Sequence, residues 1–97
     1  MRIPVPAEMR EQLADDPFMQ SCIIGNIQCE GRIEWNHAFS YSGKRQNKLW
    51  ALIPMCHFHH YHEANLKSEI RQAMRTRIWY FEDEHNFRIE YPKSNLV

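Results

Sequence analysis

The sequence predicts an α+β fold, because two strand-like runs precede a long segment with helical periodicity. The runs cover residues 32–39 and 49–54, and the polar stretch 40–48 between them predicts a hairpin with a long loop. Beyond this hairpin the apolar residues recur at spacings of three and four, which indicates one buried helical face. The residues of that face are Leu66, Ile70, Met74, Ile78 and Phe81.

Two helices are predicted on either side of the hairpin. Residues 57–81 form the longer, C-terminal helix, with a break allowed near Asn65. A short N-terminal helix is predicted over Ala7–Ala14, because the prolines of segment 3–6 disfavour helix before it and the Asp-Asp-Pro segment 15–17 ends it.

The remaining segments predict less regular structure. Residues 21–31 hold two cysteines around a Gly-Asn turn and predict an irregular knuckle, and residues 87–91 alternate as a short strand does. A chain of 97 residues cannot divide its apolar side chains between two cores, so residues 1–97 are predicted to form a single domain. The three tryptophans lie in predicted regular elements and are expected in the core: Trp35, Trp50 and Trp79.

Cysteine usage favours a metal site over disulfides. The chain has three cysteines, an odd number, and its N-terminus has no apolar run that could serve as a signal peptide or a membrane span. We therefore expect a cytoplasmic protein with no membrane association. In a reducing compartment clustered Cys and His residues are typically metal ligands. Free cysteines packed in the core are the alternative.

The charge distribution favours a polyanionic partner, although the net charge is zero. Residues 41–80 carry seven Lys and Arg against two Asp and Glu, a balance of +5, whereas the segments on both sides are acidic. Four of the six histidines lie in this basic segment. The zero net charge argues against a strongly basic nucleic-acid-binding protein, but a positive field beside a metal cluster suits a polyanion.

The strongest local signal is a Cys/His cluster that begins directly after the second strand-like run. Cys56 and His59 are separated by two residues, which lets both side chains turn onto one ion. Upstream, Cys22 and Cys29 offer a second pair, whose wider spacing the Gly-Asn turn can close. The four residues form a Cys3His set that is typical of closed, tetrahedral structural zinc. Two other histidines could replace His59 as fourth ligand: His57 and His62.

Three segments, taken in order, resemble the HNH nuclease family, in particular its small phage-type members with a zinc knuckle. The first is residues 22–37, which ends in GRIEWNH, the second is GKRQNK at 43–48, and the third is LIPMCHFHH at 52–60. Together they span residues 22–60, about 40 of the 97 residues. The resemblance implies a ββα-metal hairpin plus helix, a metal-dependent DNA endonuclease activity and a phage-encoded protein in the host cytoplasm.

The resemblance also implies a role for each matching residue. His37 matches the general base, which takes a proton from the attacking water. Asn36 falls where many members carry Asp or His as a metal ligand, and an amide oxygen binds a hard cation less strongly than a carboxylate does. His60 matches the final residue of the motif, a second metal ligand on the helix. Asn47 matches the central Asn, which braces the loop so that the histidine is oriented; the alternative position holds Ala51.

The chemistry of phosphodiester hydrolysis accounts for these residue types. A divalent metal such as magnesium or manganese polarises a non-bridging oxygen and neutralises the departing 3′ oxygen, while a histidine accepts a proton near neutral pH. Base and ligand must lie side by side without coinciding, which adjacent Asn36 and His37 on opposite faces of a strand can achieve. His62 and Glu63 are candidates for supporting positions, and His85 has no assigned role.

Two groups of basic residues are candidates for DNA-phosphate contact. One lies in the hairpin loop and the other forms a stripe at i, i+4 and i+8 on the long helix, where a solvated amphipathic face is the alternative. The loop group is Lys44, Arg45 and Lys48, and the helix group is Lys67, Arg71 and Arg75.

Two other functional classes compete with the nuclease. The same zinc-stabilised hairpin and helix could bind nucleic acid without cutting it, or could be a structural zinc protein that contacts other proteins. Catalysis needs both His37 and His60, whereas a binding module needs only the knuckle and a positive surface.

Overall fold

A computed structural model describes residues 5–97 and confirms the α+β class. Part of the extended segment predicted over 3–6 lies outside the described residues, and Pro6 has the extended backbone angles φ −56° and ψ 145°. No helix within the described range is long and apolar enough to cross a membrane. In chain order the elements are α1 (Ala7–Ala14), a 3-10 turn (Pro17–Gln20), β1 (Ile33–His37), β2 (Ser40–Tyr41), β3 (Lys44–Arg45), β4 (Leu52–Cys56), α2 (His57–Tyr61), a 3-10 turn (Glu63–Asn65), α3 (Lys67–Phe81) and α4 (Glu84–Glu90).

Strands β1 and β4 form the antiparallel hairpin, with Ile33 opposite Cys56 and His37 opposite Leu52. The first strand is shorter than the predicted run 32–39, and the second begins three residues later than the predicted run 49–54. The register places the end of β1 beside the start of β4. Along the chain, α2 begins directly after the last residue of β4. Two strands and the helix that follows them thus form one continuous unit.

Strand β4 is buried on both faces, which explains why all five of its residues are apolar or cysteine. Ile53 and Met55 pack into the main core together with α3 and α4. Leu52 packs into a smaller cluster with Leu13 and Met19 from the N-terminal segment. The sheet therefore lies between the N-terminal elements and the C-terminal helices.

The polar stretch between β1 and β4 contains a second hairpin, formed by β2 and β3, where the sequence predicted only a loop. Its turn residues Ser42 and Gly43 have φ angles of 52° and 77°. Two successive positive φ angles give the turn whose twist matches that of paired strands, and glycine adopts such angles without strain. The small hairpin brings Arg45 and the following Asn47 back towards the end of β1.

The long helix predicted over 57–81 is interrupted where a break was allowed, because α2 ends at Tyr61 and α3 begins at Lys67. The predicted buried face of α3 is confirmed at its centre, where Ile70, Met74 and Ile78 are all buried. The ends of that face, Leu66 and Phe81, are half-buried against the same core.

The predicted strand over 87–91 is wrong, because α4 occupies most of that segment. Asp83 caps this helix, since its carboxylate accepts a backbone N–H from the first turn at 2.7 Å. Phe87 and Tyr91 are buried and four residues apart, so they share one helical face, whereas Ile89 is 66% exposed. The alternation in this segment fitted both structures, and the cap and the core selected the helix.

The tryptophans differ in burial. Trp50 is 1% exposed and belongs to an aromatic cluster with Phe39 and Phe87, so its prediction is confirmed. Trp35 is half-buried against the smaller cluster. The prediction for Trp79 is wrong, since it is 54% exposed on the outer side of α3.

Arg77 ties α3 to the N-terminal segment. Its guanidinium lies 2.5 Å from the carboxylate of Asp16 and contacts the rings of Phe18 and Phe81, at 4.2 and 4.5 Å from their centres. Partial burial acts to raise the pKa of Asp16, but the hydrogen bonds from Arg77 and from the Phe18 N–H, with the guanidinium charge, outweigh it and lower this pKa. The Arg77 side chain is buried, and its partner Asp16 lies 61 residues away in the sequence, so this ion pair links two distant segments of the chain.

Replacing Arg77 by Met should reduce the free energy of unfolding by about 3 kcal/mol, because Asp16 loses its partner in a poorly solvated position. Arg88→Met is the matched control. It breaks an Arg–Glu84 pair with the same 2.5 Å separation, but these side chains are 61% and 48% exposed, so a loss below about 0.5 kcal/mol is expected. Urea unfolding at neutral pH measures both variants. If both variants lost the same free energy of unfolding, the Arg77–Asp16 ion pair would contribute no more to stability than an exposed pair.

Candidate functional site

The four side chains predicted as zinc ligands converge in the structure. Their ligand atoms all lie within 4.8 Å of one another, and His59 Nδ1 lies 3.6, 3.5 and 3.1 Å from the sulfurs of Cys22, Cys29 and Cys56. A tetrahedral zinc with Zn–S near 2.3 Å and Zn–N near 2.0 Å separates its nitrogen and sulfur ligands by about 3.5 Å. The cluster could therefore hold a zinc ion.

The start of α2 explains how two of these ligands meet. Cys56 is the last residue of β4 and the N-cap of α2, and its sulfur accepts the backbone N–H of His59 at 3.4 Å. Burial acts to raise the pKa of the Cys56 thiol, but hydrogen bonds from the backbone at His59 and Glu30 outweigh it and lower the pKa to about 6. Cys56 is thus predisposed to be the thiolate that zinc requires.

The knuckle that carries the other two ligands is closed by its turn. Gly25 adopts a φ of 58°, and the N–H of Cys29 donates to the carbonyl of Asn26 at 3.1 Å. The N–H of Ile23 donates to the carbonyl of Pro54, which fixes the knuckle to β4. These hydrogen bonds explain why the wide spacing between the two cysteines is compatible with a single ion.

Gly31 permits the close approach of the knuckle to α2. Its φ is 85°, and a Cβ at this position would lie 2.7 Å from the Cβ of His57. On either side of this contact the carbonyls of Glu30 and Arg32 accept the backbone N–H groups of Phe58 and His57. The first turn of α2 is therefore hydrogen-bonded to the chain that leads into β1.

The predicted base and its predicted brace are in contact at the end of β1. His37 Nε2 lies 3.1 Å from Asn47 Oδ1, and both side chains are partly buried. Ala51, the alternative position for the brace, is completely buried and has no polar side-chain atom. With the amide oxygen of Asn47 as acceptor, the His37 ring carries its hydrogen on Nε2 and can accept a proton on Nδ1.

A cleft of about 610 Å³ contains several of the predicted site residues. It lies between the end of β1, the β2–β3 hairpin and the start of α3. Asn36 and His37 both line it, although they are neighbours on one strand. The charged side chains that line it are Arg45, Glu63 and Lys67.

Asn36 is buried, with 4% of its surface exposed, and its amide is oriented by a carboxylate. Asn36 Nδ2 donates to Glu63 Oε2 at 2.6 Å and also lies 3.6 Å from the sulfur of Met55. Because the nitrogen is bound to Glu63, the oxygen of the same amide is the atom left for another partner.

His60, the second predicted ligand of the catalytic metal, contacts a different carboxylate. Its Nδ1 lies 2.7 Å from one oxygen of Glu34, whose other oxygen lies 2.9 Å from Nδ1 of His57. The hydrogen bonds to His57 and His60 lower the pKa of Glu34 to about 2, so this carboxylate is ionised. His60 is not among the residues that line the cleft. The structure therefore groups Asn36 with His37 and places His60 beside Glu34.

The predicted phosphate-binding residues are only partly brought together. Arg45 and Lys67 line the cleft, and Lys44 is exposed next to Arg45. Lys48 pairs with Glu90 at 2.9 Å, and the guanidinium of Arg71 donates to the backbone carbonyl of Asn95. Arg75 is half-buried on α3. The helix stripe is therefore not a uniform cationic surface.

The carboxylates that contact the site residues were the weakest part of the sequence prediction. Glu34 was missed, although its position two residues before Asn36 on β1 places both on one face of the strand. Glu63 was expected only as a supporting residue, yet it lines the cleft itself.

Comparison of the chain with protein-family models, curated proteins and solved structures gives no match. The function of the chain is therefore inferred from the side chains of the cleft and of the Cys3His cluster.

Purified protein should contain about one tightly bound zinc per chain. His59→Ala and Cys56→Ser should lose this zinc and melt at a lower temperature, because folding of so small a core depends on the bound metal. His57→Ala is the control, since the His57 side chain is 67% exposed and contacts Glu34, so its zinc content should be unchanged. Elemental analysis after desalting, with a thermal melt, measures each protein. Full zinc retention in Cys56→Ser would contradict the assigned cluster.

Proposed function

We propose that this protein is an HNH-type nuclease of the ββα-metal class, which hydrolyses DNA phosphodiesters with His37 as general base and one divalent metal. The observation that carries the proposal is the 3.1 Å contact between His37 and Asn47. These are the two residues that the resemblance to the HNH family pairs as base and brace. The cleft beside them also contains two cationic side chains and an amide that suits a metal.

The base would act through Nδ1 of His37. Asn47 holds Nε2, so the ring is kept in one orientation and its other nitrogen is available to take a proton from water. Asn47 is a positioning residue in this scheme, because it touches the base and not the substrate. The arrangement supports the proposal, since a general base has to be oriented as well as unprotonated.

The catalytic metal would be held by Asn36 in the cleft, and His60 is the second ligand that the resemblance implies, although it does not line the cleft. The amide oxygen of Asn36 suits a hard divalent cation, because its nitrogen already donates to Glu63. Glu34 holds Nδ1 of His60, which leaves Nε2 as the nitrogen that can ligate. When bound, the metal would stabilise negative charge on the phosphate and on the leaving 3′ oxygen.

The substrate is inferred from charge. Arg45 and Lys67 both line the cleft, and they come from two different elements, β3 and the start of α3. Both side chains can contact a phosphate backbone. DNA binding without cleavage is the second candidate function. It is favoured by the position of His60, which hydrogen-bonds to Glu34 and does not line the cleft.

Replacing His37 by Ala separates these two functions. Cleavage of supercoiled plasmid with Mg²⁺ or Mn²⁺ should fall by roughly 10²-fold or more, because the base is lost while the metal ligands remain. Zinc content and DNA affinity should be unchanged. His85→Ala is the control, because His85 is an exposed histidine on α4 and should leave the rate unaltered. Wild-type activity in His37→Ala would exclude this base, and binding without cleavage by the wild type would favour the binding module.

The salt dependence of DNA binding should identify the phosphate contacts. A double Arg45→Gln, Lys67→Gln variant should flatten the slope of log K against log salt by about 2, because each lost phosphate contact accounts for about 0.9 on duplex DNA. An Arg88→Gln, Lys93→Gln variant removes the same charge from exposed positions outside the cleft and should leave the slope unchanged. Fluorescence anisotropy over a salt series measures both. Equal slopes in the two variants would place the phosphates elsewhere.

A further inference from the structure

We propose that Glu63 is a ligand of the catalytic metal, and that it supplies the negative charge that Asn36 lacks. The inference rests on the proposed function, because it assigns a further residue to the same metal. It concerns a side chain outside the three segments that resemble the HNH family, on the 3-10 turn between α2 and α3.

The contact between Glu63 and Asn36 is the first argument. One oxygen of Glu63 accepts the amide N–H of Asn36 at 2.6 Å, and Asn36 is almost fully buried. The hydrogen bond therefore fixes a carboxylate and an amide next to each other, and both line the cleft that contains His37. Oxygen donors of these two types are the ligands that magnesium and manganese prefer.

The charge of the cleft is the second argument. Arg45 and Lys67 make the cleft suitable for a phosphate, but Glu63 in the same cleft would repel one. No Lys, Arg or His among residues 5–97 forms an ion pair with Glu63. A divalent cation between the carboxylate and the phosphate accounts for a negative side chain at this position, because it attracts both.

The fold itself positions Glu63 next to the strand that carries Asn36. The 3-10 turn follows α2 directly, and α2 carries the zinc ligand His59 and is hydrogen-bonded to the segment before β1. The zinc cluster thus fixes the turn relative to the strand that carries Asn36. A metal ligand needs this kind of support, since its affinity depends on the placement of the donor atom.

The test is Mn²⁺ binding by the zinc-loaded, full-length protein, followed by electron paramagnetic resonance of free Mn²⁺. Glu63→Gln should weaken Mn²⁺ binding by at least about tenfold. The substituted side chain has nearly the same shape and can still accept the N–H of Asn36. Glu69→Gln is the matched control, because it removes the same charge from an exposed position on α3 and should leave the Mn²⁺ affinity within about twofold.

A second variant, Asn36→Asp, distinguishes a ligand from a mere hydrogen-bond acceptor. In this background Glu63→Gln should still weaken Mn²⁺ binding by about tenfold if Glu63 binds the metal, and the exchange keeps one carboxylate and one amide in contact. If Glu63 only orients Asn36, the same change relieves the repulsion between two carboxylates, so it should raise the melting temperature and leave Mn²⁺ binding unchanged. This arm also decides the question if Glu63→Gln does not fold.

The outcomes separate this inference from the nuclease proposal. Unchanged Mn²⁺ affinity in Glu63→Gln overturns the inference, and plasmid cleavage by the wild type in the same preparation would leave the nuclease proposal in place. A wild type that binds no Mn²⁺ beyond its zinc also overturns it. If that protein cleaves no DNA with Mg²⁺ or Mn²⁺, the nuclease proposal fails as well.

Discussion

The Cys3His cluster is the constraint on which the rest of the structure depends. It joins the knuckle, the end of β4 and the first turn of α2 through side chains that are up to 37 residues apart. A two-stranded hairpin is marginal in water, and a helix as short as α2, with five residues, does not form by itself. Ligands drawn from all three elements allow one ion to stabilise elements that would otherwise not persist.

The orientation of α2 determines where the side chains on and after this helix lie relative to β1 and the cleft. Once His59 is fixed to the cysteines, His60 and His57 lie over β1, where both meet Glu34. The turn that follows α2 then places Glu63 against Asn36, one side-chain position further along the same strand face. The candidate catalytic residues are therefore positioned through a Cys3His cluster that they do not belong to.

Sequence predicted those parts of the fold and site that depend on local signals. The bounds of α1 and the Cys3His set follow from prolines and ligand spacing, which act within a few residues. The ends of β1 and β4 were misplaced because pairing and the capping role of Cys56 decide them. The helix at Phe87 was missed because the apolar residues of segment 87–91 fit the two-residue period of a strand as well as the four-residue spacing of a helix. The contacts of Glu34 and Glu63 depend on how α2 lies on the sheet, which no local pattern encodes.

The amide at position 36 has a physical explanation in the metal-free protein. Asn36 is buried and its nitrogen lies 2.6 Å from a carboxylate oxygen of Glu63. A second carboxylate there would place two negative charges at hydrogen-bond distance in a poorly solvated position, and without a cation such a pair opposes folding. An amide donates a hydrogen to Glu63 and still presents an oxygen. The asparagine thus avoids a repulsion that would destabilise the folded protein, and in the proposed metal site it would leave the negative charge to Glu63.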